Sequence, residues 1–207
     1  MLTYEQKLNA DLRWALDEGS MHFSESNQVH DTMRRLTTRL RELGIPHAVV
    51  GGMAMFAHGF RRFTEDVDLV VTREAMDRIK QELEGLGYTS PVGTTTKLRD
   101  TTTGVRIEFL ITGGFPGDGK PKAVSFPDPK DVAVEIDGIN YINLPTLLNL
   151  KLASGISASH RAKDIGDAQE LIKVLSLSRD FAEKLNPYVR PKYVELWDAA
   201  AAAPNDE

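Results

Sequence analysis

The chain has 207 residues, 41% hydrophobic and 27% charged, enough for one sizeable core and a small second lobe in an ordinary water-facing protein. A formal net charge of −5 argues against non-specific coating of nucleic acid, although Arg61-Arg62 and the stretch around Lys120 and Lys122 leave room for a local basic groove. The absence of cysteine excludes a disulfide framework, an iron–sulfur cluster, a thiolate zinc site and a thiol nucleophile, and fits a cytoplasmic protein.

The N-terminus, MLTYEQKLNADLRW, is mixed and charged and does not read as a signal peptide. No apolar run approaches the roughly 20 residues that span a bilayer, so no membrane partner is expected. From Ser26 to Leu43, Val29, Met33, Leu36, Leu40 and Leu43 recur at helical steps, and Gly44 and Pro46 stop the helix. His47–Val50 reads as a short buried strand, Gly51-Gly52 as a turn, and Met53–His58 as a short helix ended by Gly59. Asp66–Val71 is the next strand. Thr72 caps a helix whose inner face is Met76, Ile79, Leu83 and Leu86, with strand resuming at Tyr88.

Lys97–Asp100 and Val105–Ile111 read as strands joined by a turn; Arg106 and Glu108 face away from Val105, Ile107 and Phe109. The Gly/Pro-rich segment Gly113–Pro129 is a long loop, expected to close over substrate. A hairpin with Asp137-Gly138 at its turn follows. Pro145 then opens a helix carrying Leu147, Leu148 and Leu152, broken by the polar stretch SGISASH. The last third is helical, with Ile165, Ala168, Leu171 and Ile172 on one face, and ends in a frayed alanine helix and tail. The expected organisation is a core domain with N-terminal helices over 1–143 and a helical lobe over 144–207.

Chemistry concentrates in VVGGMAMFAHGFRRFTEDVDLVV. On a strand, residues i and i+2 share a face, so Asp66 and Asp68 project together while Val67 and Leu69 pack behind. Two like charges so close disfavour each other's ionisation unless a cation sits between them. Hard oxygen donors with no His or Cys nearby point to Mg²⁺, which usually completes its shell with substrate phosphates. Glu108 offers a third carboxylate; three could hold two ions about 4 Å apart. Each piece alone has a plainer reading. D-x-D also occurs on solvated edges, a strand Glu is often just the polar face, and a glycine pair suits any tight turn.

Their joint order, V-G-G at Val50–Gly52, a short helix, Asp66-Val67-Asp68, then a strand with Glu108, resembles the nucleotidyltransferase superfamily, the polymerase-beta-like fold. The resemblance implies an α+β fold, a mixed β-sheet with flanking helices and a helical C-terminal lobe. It also implies glycines that let backbone N–H groups reach a triphosphate, and metal held by Asp66, Asp68 and Glu108.

The finer pattern G-x-R-R-F-T-E-D-V-D-L is similar to the AbiEii/MenA-like toxin branch, with Arg62 and Thr64 before the first Asp. Downstream, Lys151 and the R-x-K-D element of Arg161, Lys163 and Asp164 match the same branch. By that resemblance Gly51, Gly52, Arg62, Thr64 and Lys151 bind nucleotide, and Asp66, Asp68, Glu108 and Asp164 are catalytic, with Asp164 positioning or deprotonating the acceptor. A surface lysine for Lys151 and a helix-terminal role for Asp164 are the plainer readings. Departures from the branch are GG where many members carry GS, and a shorter chain.

The function so implied is Mg²⁺-dependent transfer of a nucleoside monophosphate from NTP to a hydroxyl, with release of pyrophosphate, in a toxin–antitoxin setting with a cognate antitoxin. The acceptor is tRNA, protein or a small molecule. Alternatives are an aminoglycoside or lincosamide nucleotidyltransferase and a nucleotide-binding module without turnover.

Overall fold

The computed structural model describes residues 2–202; the tail expected after the terminal alanine helix, 203–207, lies outside the described residues. The chain forms two compact units. One comprises Met1–Ala57, Arg61–Thr112 and Pro127–Ile142; the other comprises His58–Phe60, Gly113–Phe126 and Asn143–Glu207. No helix among the described residues is long and apolar enough to cross a membrane.

The first unit is built on a mixed sheet. Its strands are β1 (Ala48–Val50), β2 (Asp66–Val71), β3 (Tyr88–Thr89), β4 (Lys97–Asp100), β5 (Arg106–Ile111), β6 (Ala133–Ile136) and β7 (Ile139–Ile142). Their spatial order is β3-β4-β5-β2-β1-β7-β6. β2 runs antiparallel to β1 and parallel to β5, so the two acidic strand segments lie side by side near the middle. Val67, Leu69, Ile107 and Phe109 are all buried, while Asp66, Asp68, Arg106 and Glu108, which alternate with them, are half-exposed. This alternation is the driving force for register: a slip by one residue would push four charges into the core.

Helices α1 (Tyr4–Ala10), α2 (Leu12–Phe23), α3 (Gln28–Glu42), α4 (Gly51–Ala57), α5 (Arg73–Leu83) and the short α6 (Pro129–Val132) complete the unit. In α3, Val29, Met33, Leu36 and Leu40 are buried as the spacing requires, and Asn27 caps the helix by accepting from the His30 amide at 3.1 Å. Arg35 and Thr32 of α3 both donate to Asp100 of β4, at 2.6 and 3.1 Å, so the helix is fastened to the sheet by polar as well as apolar contacts.

Two expectations need correction here. Leu86, read as part of the inner face of α5, is 72% exposed, because the helix ends at Leu83 and its periodicity no longer governs. Gly51-Gly52 is not a turn ahead of the helix; the two glycines are its first residues.

The second unit contains α7 (Leu144–Ser157), α8 (Ala162–Val174) and α9 (Arg190–Ala202), with 3-10 turns at Ser159–Arg161 and Arg179–Lys184. Asn143 caps α7 by accepting from the Thr146 amide, and Pro145 sits where no helical donor is needed. The helix runs on through Ser154–Ser157, so the expected polar break starts only at Ala158. Burial explains the overrun: Leu152, Ala153 and Ser154 face inward.

The Gly113–Phe126 loop is held at its neck by paired backbone bonds between Gly113 and Phe126 and between Phe126 and Gly114, both 2.8 Å. Lys122 donates to the Pro116 carbonyl and to Asp118 (both 2.6 Å), and Asn186 donates to the Ala123 carbonyl. These bonds brace the loop within the second unit.

Candidate active site

The residues singled out in the sequence fall into two groups, one in each unit. In the first, β2 and β5 pair in register Asp66↔Arg106 and Asp68↔Glu108, and β4 adds Lys97↔Glu108 and Arg99↔Arg106. Register partners point to the same face of a sheet, as do residues two apart on a strand. Asp66, Asp68 and Glu108 therefore share one half-exposed face, interleaved with Lys97, Arg99 and Arg106. Arg106 donates to Asp66 in a close ion pair, and Lys97 lies 3.4 Å from Glu108. Burial would lower the Arg106 pKa, but the Asp66 carboxylate outweighs it and raises it, so the guanidinium stays charged. Arg99 is drawn off to Glu5 of α1 at 2.9 Å.

Among the described residues, no three His, Cys, Asp or Glu side chains stand as a ready-made metal cluster. The three carboxylates share a face, with Arg106 paired to Asp66 and Lys97 to Glu108.

Thr64 donates to Asp66 Oδ1 at 3.1 Å and so sets the rotation of that carboxylate. Arg62 directs Nη1 to the Phe63 carbonyl at 3.1 Å, while its own carbonyl is 2.9 Å from Nε2 of His22. A carbonyl only accepts, so His22 carries its proton on Nε2 and α2 fastens the Arg62–Thr64 loop. The glycines explain themselves sterically. Gly51 has φ +64°, and a β-carbon there would stand 3.1 Å from Asp68 Cγ and inside contact with its Oδ2; one on Gly52 would stand 2.7 Å from Thr64 Oγ1. Any larger residue would push Asp68 and Thr64 off their positions.

In the second unit, Lys151 of α7 donates to Asp164 at 2.8 Å and to Asp167 at 2.7 Å, both on α8. Only 11% of the Lys151 side chain and 5% of each carboxylate are exposed. Ser154 donates to Asp164 at 2.6 Å and Arg161 at 2.8 Å. Burial would raise the Asp164 pKa; the Lys151 ammonium, the Ser154 hydroxyl and Arg161 overcome it and hold the carboxyl below its usual range. Lys163 is exposed on the first turn of α8.

The sequence reading did not single out Lys97, Arg106, Asp167 or His22 as site residues. For Lys97, Arg99, Arg106 and Glu108 the signal was there: charges at period two on both β4 and β5. For His22 there was none, because its contact crosses 40 residues of chain.

Comparison with solved structures gives the fold. The crystal structure of ANT(2″)-Ia in complex with adenylyl-2″-tobramycin aligns with a TM-score of 0.53 at 14% identity, covering 80% of this chain and 96% of that one. JHP933 from Helicobacter pylori aligns with a TM-score of 0.48 at 16% identity, covering 84% and 89%. No curated protein matches the chain in sequence. The first alignment establishes a nucleotidyltransferase fold, mixed α and β as expected. The family follows from the sequence itself. Residues 35–191 match the family described as nucleotidyl transferase AbiEii toxin, type IV toxin–antitoxin system, and the chain belongs to it. It is a nucleotidyltransferase. Helices α1 and α2 lie outside the matched region.

Proposed function

We propose that this enzyme transfers a nucleoside monophosphate from an NTP to a hydroxyl group of tRNA or protein, with release of pyrophosphate, using Mg²⁺ held by Asp66 and Asp68. The observation that carries the reading is the register Asp68↔Glu108, with Asp66 two residues away on the same face. The donor set fits a hard cation: it is all carboxylate oxygen, and the missing β-carbon at Gly51 makes room for the Asp68 carboxylate itself. When bound, Mg²⁺ would draw charge from the phosphates and steady the leaving pyrophosphate.

The chain's own residues have separable tasks. Thr64 orients Asp66, and Gly51 and Gly52 bring the start of α4 close to phosphate, where backbone N–H groups suit an anion. Arg62 adds a cation beside them, and Glu108 faces the acceptor hydroxyl. Lys151 is assigned to phosphate oxygens and Asp164 to the acceptor, as the family resemblance implies. The depressed pKa of Asp164 makes it a weak base, which favours positioning over deprotonation. Most of the rate enhancement then comes from alignment and charge stabilisation. The toxin family implies a cognate antitoxin as protein partner.

The test is incubation of the full chain with each α-³²P-labelled NTP and Mg²⁺, in turn with total RNA, cell protein and an aminoglycoside. Label on RNA or protein supports the reading. Label on the aminoglycoside replaces the acceptor, and nucleotide binding without pyrophosphate release under any condition overturns turnover altogether.

A further inference from the structure

The face that bears the carboxylates is a small ionic lattice rather than an acidic patch. Across β4, β5 and β2, one row reads Arg99, Arg106, Asp66 and the next Lys97, Glu108, Asp68. Arg99 is committed to Glu5. That leaves two cations, Arg106 and Lys97, among three carboxylates, a net of one negative charge on the face. Arg106 is fixed to Asp66, and about two-fifths of its side chain is exposed. Lys97 and Glu108 are each about one-third exposed. Both cations therefore have solvent beside them and a route to swing away.

We infer that Arg106 and Lys97 are exchangeable counter-ions: Mg²⁺ displaces them from Asp66 and Glu108, and the displaced side chains then face the phosphates of the incoming nucleotide. The inference rests on the metal reading above. Its physical basis is charge balance. A bare pair of aspartates plus Glu108 would repel one another, and the two cations relieve that repulsion. A divalent ion must outcompete them, so they weaken binding of metal alone. Metal arriving with a triphosphate meets no such net cost, because each released cation gains an anionic partner. Arg is suited to this, since its planar fork matches carboxylate and phosphate alike. The exchange would couple metal binding to nucleotide binding through two side chains of the sheet itself.

The experiment measures Mn²⁺ binding by electron paramagnetic resonance on the full chain, metal-stripped, as wild type, Arg106→Gln and Lys97→Gln. The expected result is Mn²⁺ affinity about tenfold higher in Arg106→Gln, a smaller gain in Lys97→Gln, and weaker NTP binding in both. If wild type binds Mn²⁺ and transfers label but Arg106→Gln binds Mn²⁺ no more tightly, the inference is overturned and the function stands. If no protein binds Mn²⁺, with or without NTP, both fall together. Should Arg106→Gln fail to fold by circular dichroism, ¹⁵N resonances of the Arg106 guanidinium in wild type decide. Titration with Mg²⁺ must shift them and speed their exchange; unchanged signals at metal saturation count against displacement.

Discussion

Asp68 packs its carboxylate against the backbone of Gly51, at a place where a β-carbon would stand 3.1 Å from its Cγ. The glycine pair and the D-x-D pair are thus one steric unit: the left-handed φ of Gly51 turns the chain into α4, and the missing side chain admits the carboxylate. Gly52 repeats the arrangement with Thr64, which in turn holds Asp66.

Gly51→Ala should therefore cost both stability and activity. The left-handed conformation alone penalises alanine by about 1–2 kcal/mol, and the added methyl group displaces Asp68. Melting temperature should fall by several degrees, and pyrophosphate release at saturating NTP should fall at least about tenfold. Wild-type turnover in a folded Gly51→Ala protein would detach Asp68 from the chemistry.

Asp66→Asn separates chemistry from stability in the opposite sense. The Asp66–Arg106 pair is partly exposed and contributes no more than about 1 kcal/mol. The variant should melt close to wild type while losing about 100-fold or more in transfer, by analogy with the loss of a charge-stabilising group. Comparing calorimetry with release of labelled pyrophosphate checks both halves.

Lys151→Met makes the contrasting case. Removing the ammonium takes from two nearly inaccessible carboxylates, Asp164 and Asp167, the cation they share, and breaking a buried pair in this way costs about 3–5 kcal/mol. Urea unfolding should show that loss. The triple variant Lys151→Met, Asp164→Asn, Asp167→Asn should recover part of it, since the two buried negative charges leave together with the cation that they share; a triple variant less stable than the single would refute the electrostatic account.

A pH dependence follows from His30, which is 1% exposed, with its ring centroid 4.8 Å from that of His22 and the two rings tilted by 54°. Burial, then the neighbouring His22 and Arg34, push its pKa down from 6.5 to about 4. The unfolded chain therefore takes up the proton first. Stability should fall as pH drops from about 6.5 towards 4, by up to about 3 kcal/mol for this one group. Thermal melts across that range should show the decline in wild type and a shallower one in His30→Gln.

Asp164 acts at lower pH. Its folded pKa lies below the usual carboxylate value, so its contribution is present above about pH 4 and disappears as acid protonates it in the folded state. Asp164→Asn should flatten that acid limb of the melting curve.

What the residue order determined by itself was the arrangement of local periodicities. Alternation in DVDLVV and RIEFL placed Asp66, Asp68 and Glu108 on polar strand faces, and the three-four spacing from Val29 to Leu40 gave α3 its buried stripe. Those signals are legible because neighbours in sequence are neighbours on a strand or a helix face. Tertiary structure alone decided which strands lie together. The parallel pairing of β2 with β5 sets Asp66 against Arg106 and Asp68 against Glu108 across 40 residues, and the packing of α8 on α7 buries Lys151 between two aspartates. Helix ends escaped the sequence as well: Leu86 fits the periodic stripe but lies beyond the end of α5, and α7 crosses a polar stretch because burial of Leu152, Ala153 and Ser154 outweighs local preference.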